Sequence, residues 1–409
     1  MNLRLTANDL KSKSKINITG SKSETNRLLL LKAIFPNITI VNASNSDDSE
    51  VMNSALTSTN QIIDVHHAGT AMRFLTAYFA SQENKTVTLT GSSRMKERPI
   101  KILVDALKQL GANIEYLEND GFPPIKIIGK KLLLSKVSLP ANVSSQYLSA
   151  LLLIAPSLQN GLELELIGEI TSSPYIRMTL KLLGKIGVET SIVGNLISVK
   201  PSIQSPTPKT IVVESDWSSA SYFYSIIALS KTGTQIELTS FNKTSLQGDA
   251  ILATIYQQMG VETLFDEGKI TLLNTKKFEN RAIVLDLNDT PDIAQTIAVT
   301  AFGLGIECKL TGLHTLKIKE TDRLEALQKE LSKMGALISI TNDSLYLAPS
   351  RSIPSGESIA TYNDHRMAMA FAPLALKGTI NIENADVVSK SYPNFWKDLE
   401  LIGFKILTS

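Results

Sequence analysis

LVDALKQLGANIEY, residues 103 to 116, decides the fold. Its apolar residues recur at three- and four-residue steps, the spacing of one face of a helix, and Gly111 follows where a left-handed C-terminal residue would end that helix. The same design returns as TLKLLGKIGVETSI (179 to 192), LATIYQQMGVETLF (252 to 265), LQKELSKMGALISI (327 to 340) and WKDLELIGFKIL (396 to 407). The glycines 111, 187, 260, 335 and 403 are separated by 76, 73, 75 and 68 residues. After them come alternating runs such as NLISVKPS (195 to 202) and GKITLLNTKK (268 to 277) that read as strands. The period calls for a sixth copy before Gly111, and SEVMNSALTSTNQII (49 to 63) has its helix without the glycine or the second strand, so it reads as a shortened unit.

Six such units imply an α/β (α+β) protein of two similar domains. Each would hold three helix-strand-strand units, with sheets wrapped around buried helices. The Pro-rich stretch PSIQSPTPKT (201 to 210) falls between the third and fourth copies and is the natural boundary. The length of 409 residues fits two large domains.

Composition narrows the function. With 43% hydrophobic and 20% charged residues the chain can build sizeable cores. Its 41 basic and 39 acidic side chains nearly balance, which argues against coating nucleic acid or an anionic membrane by net field, so any anion site must be local. The single Cys308 rules out disulfides within the chain and thiolate clusters, and points to a reducing compartment, the cytoplasm. No signal-like apolar run follows MNLRLTANDLKSKSK (1 to 15), and LLLLKAIF (28 to 35) is too short to span a membrane. Only ten residues are Arg, against 31 Lys, so arginine marks places where a fork of donors is needed.

Several stretches pair polar residues in ways that packing does not require. GSKSETNR (20 to 27) sets hydroxyls and cations at a helix start, which suits an anion as well as a solvated cap. HHAGTAMRFLTAY (66 to 78) opens a helix at Gly69, a point of close backbone approach. Its His66 and His67 are adjacent, cannot face one way, and do not read as metal ligands. GSSRMKERPIKILVDAL (91 to 107) crowds Arg94, Lys96 and Arg98, which oppose one another unless an anion sits among them or solvent screens them. SSQYLSALLL (144 to 153) taken alone is an ordinary cap. TPDIAQTIAVTAF (290 to 302), KETDRLEAL (319 to 327) and NDHRMAMAFAPLAL (363 to 376) put Asp292, then Glu320 and Asp322, then Asp364 at three helix starts of one half. As single residues these would be dipole partners.

Together with SSPYIRMTL (172 to 180), ESDWSSASYF (214 to 223), QGD (247 to 249) and SKSYPNFW (389 to 396), these stretches in this order resemble the 5-enolpyruvylshikimate-3-phosphate synthase family of enolpyruvyl transferases. The resemblance implies a first domain over 19 to 214 and a second from 1 to 18 and 215 to 409, with the active site in the cleft between them. It implies transfer of the enolpyruvyl group of phosphoenolpyruvate to the 5-hydroxyl of shikimate 3-phosphate, releasing phosphate, on the way to chorismate and the aromatic amino acids. No cofactor or metal is implied. The partners are those two small molecules, without nucleic acid or membrane, and the protein is expected to be a monomer.

By the same resemblance, Lys22, Ser23, Arg27, Ser144, Ser145, Gln146, Ser172, Tyr175, Asp292 and Lys319 form the shikimate 3-phosphate side. Lys22, Gly69, Arg98, Gln146, Arg323, Arg366 and Lys390 form the phosphoenolpyruvate side. Asp292 takes the role of base at the hydroxyl, Glu320 exchanges protons with the methyl carbon, and Lys22 contributes to catalysis. Two substrates, each with a carboxylate and a phosphate, carry roughly −5 to −6 together. Lys22, Arg27, Arg98, Lys319, Arg323, Arg366 and Lys390 are seven cations to meet them. The chain departs from the family at His67, often Asn, and at Phe74, often Pro; Gly69 is kept, which implies sensitivity to glyphosate. Two readings compete: a UDP-N-acetylglucosamine enolpyruvyl transferase, whose loop cysteine Cys308 in GIECKLTGL would have to supply, and a non-catalytic anion-binding protein of the same fold.

Overall fold

A helix that is apolar all round must be covered on every side, and this rule sorts the helices of the chain. In the computed structural model, which describes residues 1–140, 144–168, 173–202, 208–275, 282–350 and 353–408, the helices Gly69–Ala80, Ser145–Ile154, Trp217–Leu229, Ala294–Leu304 and His365–Phe371 are buried along almost their whole length. The repeat helices Lys101–Gln109, Arg323–Lys333 and Phe395–Ile402 instead bury one face only. The expectation of sheets around buried helices is thus corrected in one respect: the enclosed helices are not those of the repeat but the ones between them.

The reason lies in the unit itself, which is longer than helix-strand-strand. Strands Lys136–Pro140 and Leu162–Ile167 pair in parallel across the buried helix Ser145–Ile154. Helix Ser173–Lys185 then ends at Gly187 (φ 89°), and the hairpin Thr190–Val193 with Leu196–Val199 adds antiparallel to the second parallel strand. Each full unit is therefore a β-α-β crossover followed by the α-β-β repeat. A four-stranded sheet results, two strands parallel and two antiparallel. The first unit lacks the hairpin. Its helix Asp47–Thr57 leads to no strand pair, and its sheet has two strands, Ile38–Val41 parallel to Lys209–Val212.

The chain divides into two compact units, Ser21–Val213 and Met1–Gly20 with Glu214–Ser409. The Pro-rich stretch near 201–210 precedes that division, because Lys209–Val212 still pairs inside the first of them. In the second unit the N-terminal segment closes two sheets. Leu3–Thr6 lies between Ile380–Ile382 and Lys405–Thr408, and so completes the hairpin that the last repeat helix begins. Lys13–Ile16 runs parallel to Gln235–Thr239 as the opening strand of another unit. The core of this unit gathers Leu3, Leu5, Ile16, Trp217, Phe223, Phe302 and Phe395. Among the described residues no helix is long and apolar enough to cross a membrane.

Candidate functional site

In the unit Ser21–Val213, the helix Lys22–Ile34 begins at Ser21 without a side-chain cap, which leaves its first N–H groups unclaimed by a cap. Lys22 Nζ lies 3.2 Å from Asp48 Oδ2, a buried carboxylate at the start of the helix Asp47–Thr57. Arg27, one turn on, is buried. Its Nε donates to Thr179 Oγ1 (2.8 Å), Nη1 to the Ser23 carbonyl (2.8 Å) and Nη2 to Ser149 Oγ (2.9 Å), and its guanidinium lies 5.4 Å from the Phe74 ring and 5.7 Å from that of Tyr175. Burial pulls the Arg27 guanidinium down to about 10, a field that Tyr175 and Glu24 only partly oppose. Hydrogen-bonded by neutral oxygens, it remains a charged group suited to an anion.

Gly69 opens the helix Gly69–Ala80 for a steric reason. A Cβ there would stand 2.6 Å from Arg98 Nη1 and 2.8 Å from Nη2, so the guanidinium rests directly against the glycine backbone. Arg98 Nε is buried with no hydrogen-bond partner. The loop that carries it is held by the Pro99 carbonyl, which accepts from Arg73 Nη2 (2.9 Å) and Tyr147 Oη (2.6 Å). Arg73, a motif arginine with no assigned ligand, therefore braces the Arg98 loop. Arg94 and Lys96 turn to surface acids instead, Glu97 at 3.0 Å and Glu118 at 2.7 Å, leaving Arg98 alone of that crowd at Gly69. Gln146 Nε2 donates to Thr70 Oγ1 at 3.3 Å, and Ser144 caps the helix that carries Gln146 and the buried Ser145. His67 Nδ1 is 3.0 Å from Ser92 Oγ, the cap of the short helix Ser93–Lys96. Phe74 is fully buried under Arg27. Ser172 lies outside the described residues.

In the other unit a denser cluster forms around Arg323, whose side chain is 2% exposed. Arg323 Nε donates to Asp364 Oδ2 (2.7 Å), Nη1 to Asp292 Oδ1 (2.9 Å) and Nη2 to Glu320 Oε2 (2.9 Å). Asp292 also has Lys319 Nζ at 3.5 Å and Arg366 Nη2 at 3.3 Å, and its carbonyl accepts from Arg366 Nη1 (3.0 Å). Lys390 Nζ stands 2.7 Å from Glu320 Oε1 as an ion pair, without the alignment of a hydrogen bond. Burial alone would raise the Asp292 carboxyl; Arg366, Lys319 and Arg323 outweigh it and hold the group well below the ordinary carboxylate range. Burial lowers Lys319, with Asp292 opposing.

Two acidic residues here were not singled out as site residues. Asp364 is fully buried, and its side chain caps the helix His365–Phe371 while it anchors Arg323. Asp249, of the QGD stretch, accepts from Ser218 Oγ, and burial, then Asp292, push it up to about 6. Their sequence signal was an acidic residue beside a helix start, which ordinary capping supplies as well. The site is also less positive than its cations alone imply. Five of the seven expected cations are paired inside the protein: Lys22 with Asp48, Lys319 and Arg366 with Asp292, Arg323 with Asp292, Glu320 and Asp364, and Lys390 with Glu320. Against those carboxylates the three cations of the unit Ser21–Val213 leave a formal excess of +2, and the four of the other unit leave +1.

Cys308 sits in the buried strand Glu307–Thr311, where burial pushes its thiol up to about 12, so it is not a reactive loop thiol.

Residues 53–399 match the family described as EPSP synthase (3-phosphoshikimate 1-carboxyvinyltransferase). A 3-phosphoshikimate 1-carboxyvinyltransferase of Bacteroides fragilis is 47% identical over 399 residues, covering 96% of each chain, and one from Histophilus somni is 36% identical over 420 residues, covering 95% of this chain and 96% of its own. A solved EPSP synthase from Acinetobacter baumannii superposes over 100% of both chains with a TM-score of 0.78 at 20% identity, a likeness of fold. A match across most of the chain, joined to relatives this similar from end to end, means that the chain belongs to the EPSP synthase (3-phosphoshikimate 1-carboxyvinyltransferase) family.

Proposed function

We propose that this chain transfers the enolpyruvyl group of phosphoenolpyruvate to the 5-hydroxyl of shikimate 3-phosphate. The observation that carries the reading is one guanidinium, Arg323, holding Asp292 and Glu320 at 2.9 Å each, with Lys319, Arg366 and Lys390 on the same two carboxylates. The reaction needs a proton acceptor at the hydroxyl and a proton donor at the vinyl carbon, held in fixed relation among cations that tolerate phosphate.

In this reading the hydroxyl oxygen adds to C2 of phosphoenolpyruvate while C3 gains a proton. The tetrahedral adduct then loses a C3 proton and expels phosphate, restoring the double bond. Asp292, kept ionised by its cations, accepts the hydroxyl proton; Glu320 exchanges protons with C3; Lys22 assists. Incoming anions draw Arg366 and Lys319 away from Asp292 and so raise its basicity when substrate is present. Lys22, Ser23, Arg27, Ser144, Ser145, Gln146, Ser172 and Tyr175 serve shikimate 3-phosphate with Asp292 and Lys319. Gly69, Arg98, Arg323, Arg366 and Lys390 serve phosphoenolpyruvate, with Lys22 and Gln146 shared. The enzyme acts as a cytoplasmic monomer, and glyphosate competes at the Gly69–Arg98 contact.

Phosphate release from phosphoenolpyruvate, measured with shikimate 3-phosphate and in parallel with UDP-N-acetylglucosamine, tests the assignment: release is expected with the first alone. Asp292→Asn and Glu320→Gln should each lower kcat at least about 100-fold, the range general acid-base catalysis supplies, with much smaller changes in KM. Turnover with the nucleotide sugar only, or undiminished kcat in both variants, would refute it.

A further inference from the structure

Glu330 is completely buried and stands outside the residues read above as binding substrate, three positions beyond the stretch 319 to 327, yet it is not an ordinary core ion pair. It lies seven residues after Arg323 on the helix Arg323–Lys333, two turns along the same face. Its carboxylate accepts from Tyr362 Oη at 2.5 Å and from the Ala360 N–H at 3.2 Å, besides Lys333 Nζ at 2.8 Å. Those two contacts fall on the segment that leads directly into Asp364 and Arg366.

That segment adopts a backbone that needs support. Tyr362 and Asn363 both have positive φ, 53° and 55°. Asn tolerates this region, whereas a bulky aromatic rarely enters it and stays there only where its surroundings hold it. The reversal closes through the Asp364 N–H on the Thr361 carbonyl (2.8 Å). Immediately after it, Asp364 receives Arg323 Nε and the Arg366 N–H, while Arg366 reaches the Asp292 carbonyl. One helix thus grips the segment at two points, Arg323 on Asp364 and Glu330 on Tyr362, at a separation fixed by its own rise.

We propose that Glu330 and Tyr362 are positioning residues: their bond holds the left-handed turn at 362–363 and so sets where Asp364 and Arg366 stand in the phosphoenolpyruvate half-site. The proposal rests on the functional reading above and extends it to residues that touch no substrate. A merely structural pair would lower stability and leave ligand affinity alone. A positioning pair moves affinity in a protein that remains folded.

The test uses the full chain with Tyr362→Phe, Glu330→Gln, the double variant and, as a stability control, Lys333→Met, which removes a half-exposed cation from Glu330 but leaves the Tyr362 bond. Calorimetry reads phosphoenolpyruvate binding without shikimate 3-phosphate, so that no turnover adds heat, and phosphate release with both substrates reads KM and kcat. Expected are a roughly tenfold or larger loss of phosphoenolpyruvate affinity in Tyr362→Phe and Glu330→Gln, with a smaller change in the KM for shikimate 3-phosphate. The double variant should be no worse than the poorer single one, because both remove one link. Lys333→Met should lower the melting temperature without that loss. A folded Tyr362→Phe with unaltered phosphoenolpyruvate affinity, or a Lys333→Met that loses affinity equally, overturns the proposal. If the unaltered protein binds phosphoenolpyruvate but releases no phosphate, the proposed reaction fails while the clamp is still judged on binding.

Discussion

At Gly69 a single hydrogen in place of a methyl group decides where a cation stands. Replacing it with Ala brings a carbon to 2.6 Å from Arg98 Nη1, a distance that something must relieve. The Arg98 side chain is flexible at its far end, so the relief is local: the guanidinium moves and the fold is kept. Gly69→Ala is therefore expected to raise the KM for phosphoenolpyruvate about tenfold, on the scale of one displaced charged hydrogen bond, and to weaken glyphosate inhibition, while the melting temperature changes by little. Initial rates over both ligands check it, and unchanged values for both would sever Gly69 from the site. Asp249 offers a second case, in stability. Its folded value of about 6 lies above the ordinary 3.8. Between those values the folded protein keeps a proton that the unfolded chain has released, so stability falls as pH rises through that window, and the full cost is present above about pH 6. That rise corresponds to a cost on the order of 3 kcal/mol. Asp249→Asn keeps an acceptor for Ser218 Oγ and should raise the melting temperature at pH 7.5 but hardly at pH 4. Equal shifts at both would mean that the burial of its charge is not what costs stability.

At the level of the element, the repeat was readable because its helices have two faces and its glycines are forced. Gly187 has φ 89° and nothing within 4 Å of where a Cβ would be, so its requirement is conformational alone. Gly187→Ala is expected to destabilise the protein by about 1–2 kcal/mol, the cost of a left-handed non-glycine residue, with phosphate release unaffected at assay temperature. Urea denaturation measures the first and steady-state rates the second; a loss of activity in folded protein would give Gly187 a role beyond ending its helix. The β-α-β half of each unit escaped the same reading. A helix such as Ser145–Ile154, buried on all sides, shows no periodicity, and its partner Lys136–Pro140 is a five-residue strand whose mate begins 22 residues further on. The cations of the site were likewise legible as residue types at helix starts. Their pairing was not, because Asp292, Glu320 and Asp364 meet on Arg323 only through the packing of separate helix starts, and Glu330 meets Tyr362 across 32 residues.

For the whole molecule, the decisive feature is that the N-terminal strand belongs to the unit formed by Glu214–Ser409. Leu3–Thr6 is an inner strand, hydrogen-bonded on both sides, with Leu5 fully buried. Both tryptophans, Trp217 and Trp396, lie in that same unit, Trp217 packed at 5.0 Å on Phe241 and Trp396 Nε1 bonded to the Ala385 carbonyl. Tryptophan fluorescence consequently reports the unfolding of this unit alone. Leu5→Ala should cost about 2–5 kcal/mol, as deletion of a buried leucine side chain does, and shift the fluorescence midpoint in urea accordingly. The matching change in the other unit, Leu151→Ala in the fully buried stretch of Ser145–Ile154, should cost a similar amount by circular dichroism yet leave the fluorescence midpoint in place. Residue 5 would then be thermodynamically closer to residue 406, its partner in the sheet, than to residue 151. Equal fluorescence shifts in the two variants would show instead that the units unfold as one cooperative body, and that the return of the N-terminal strand does not divide the chain energetically.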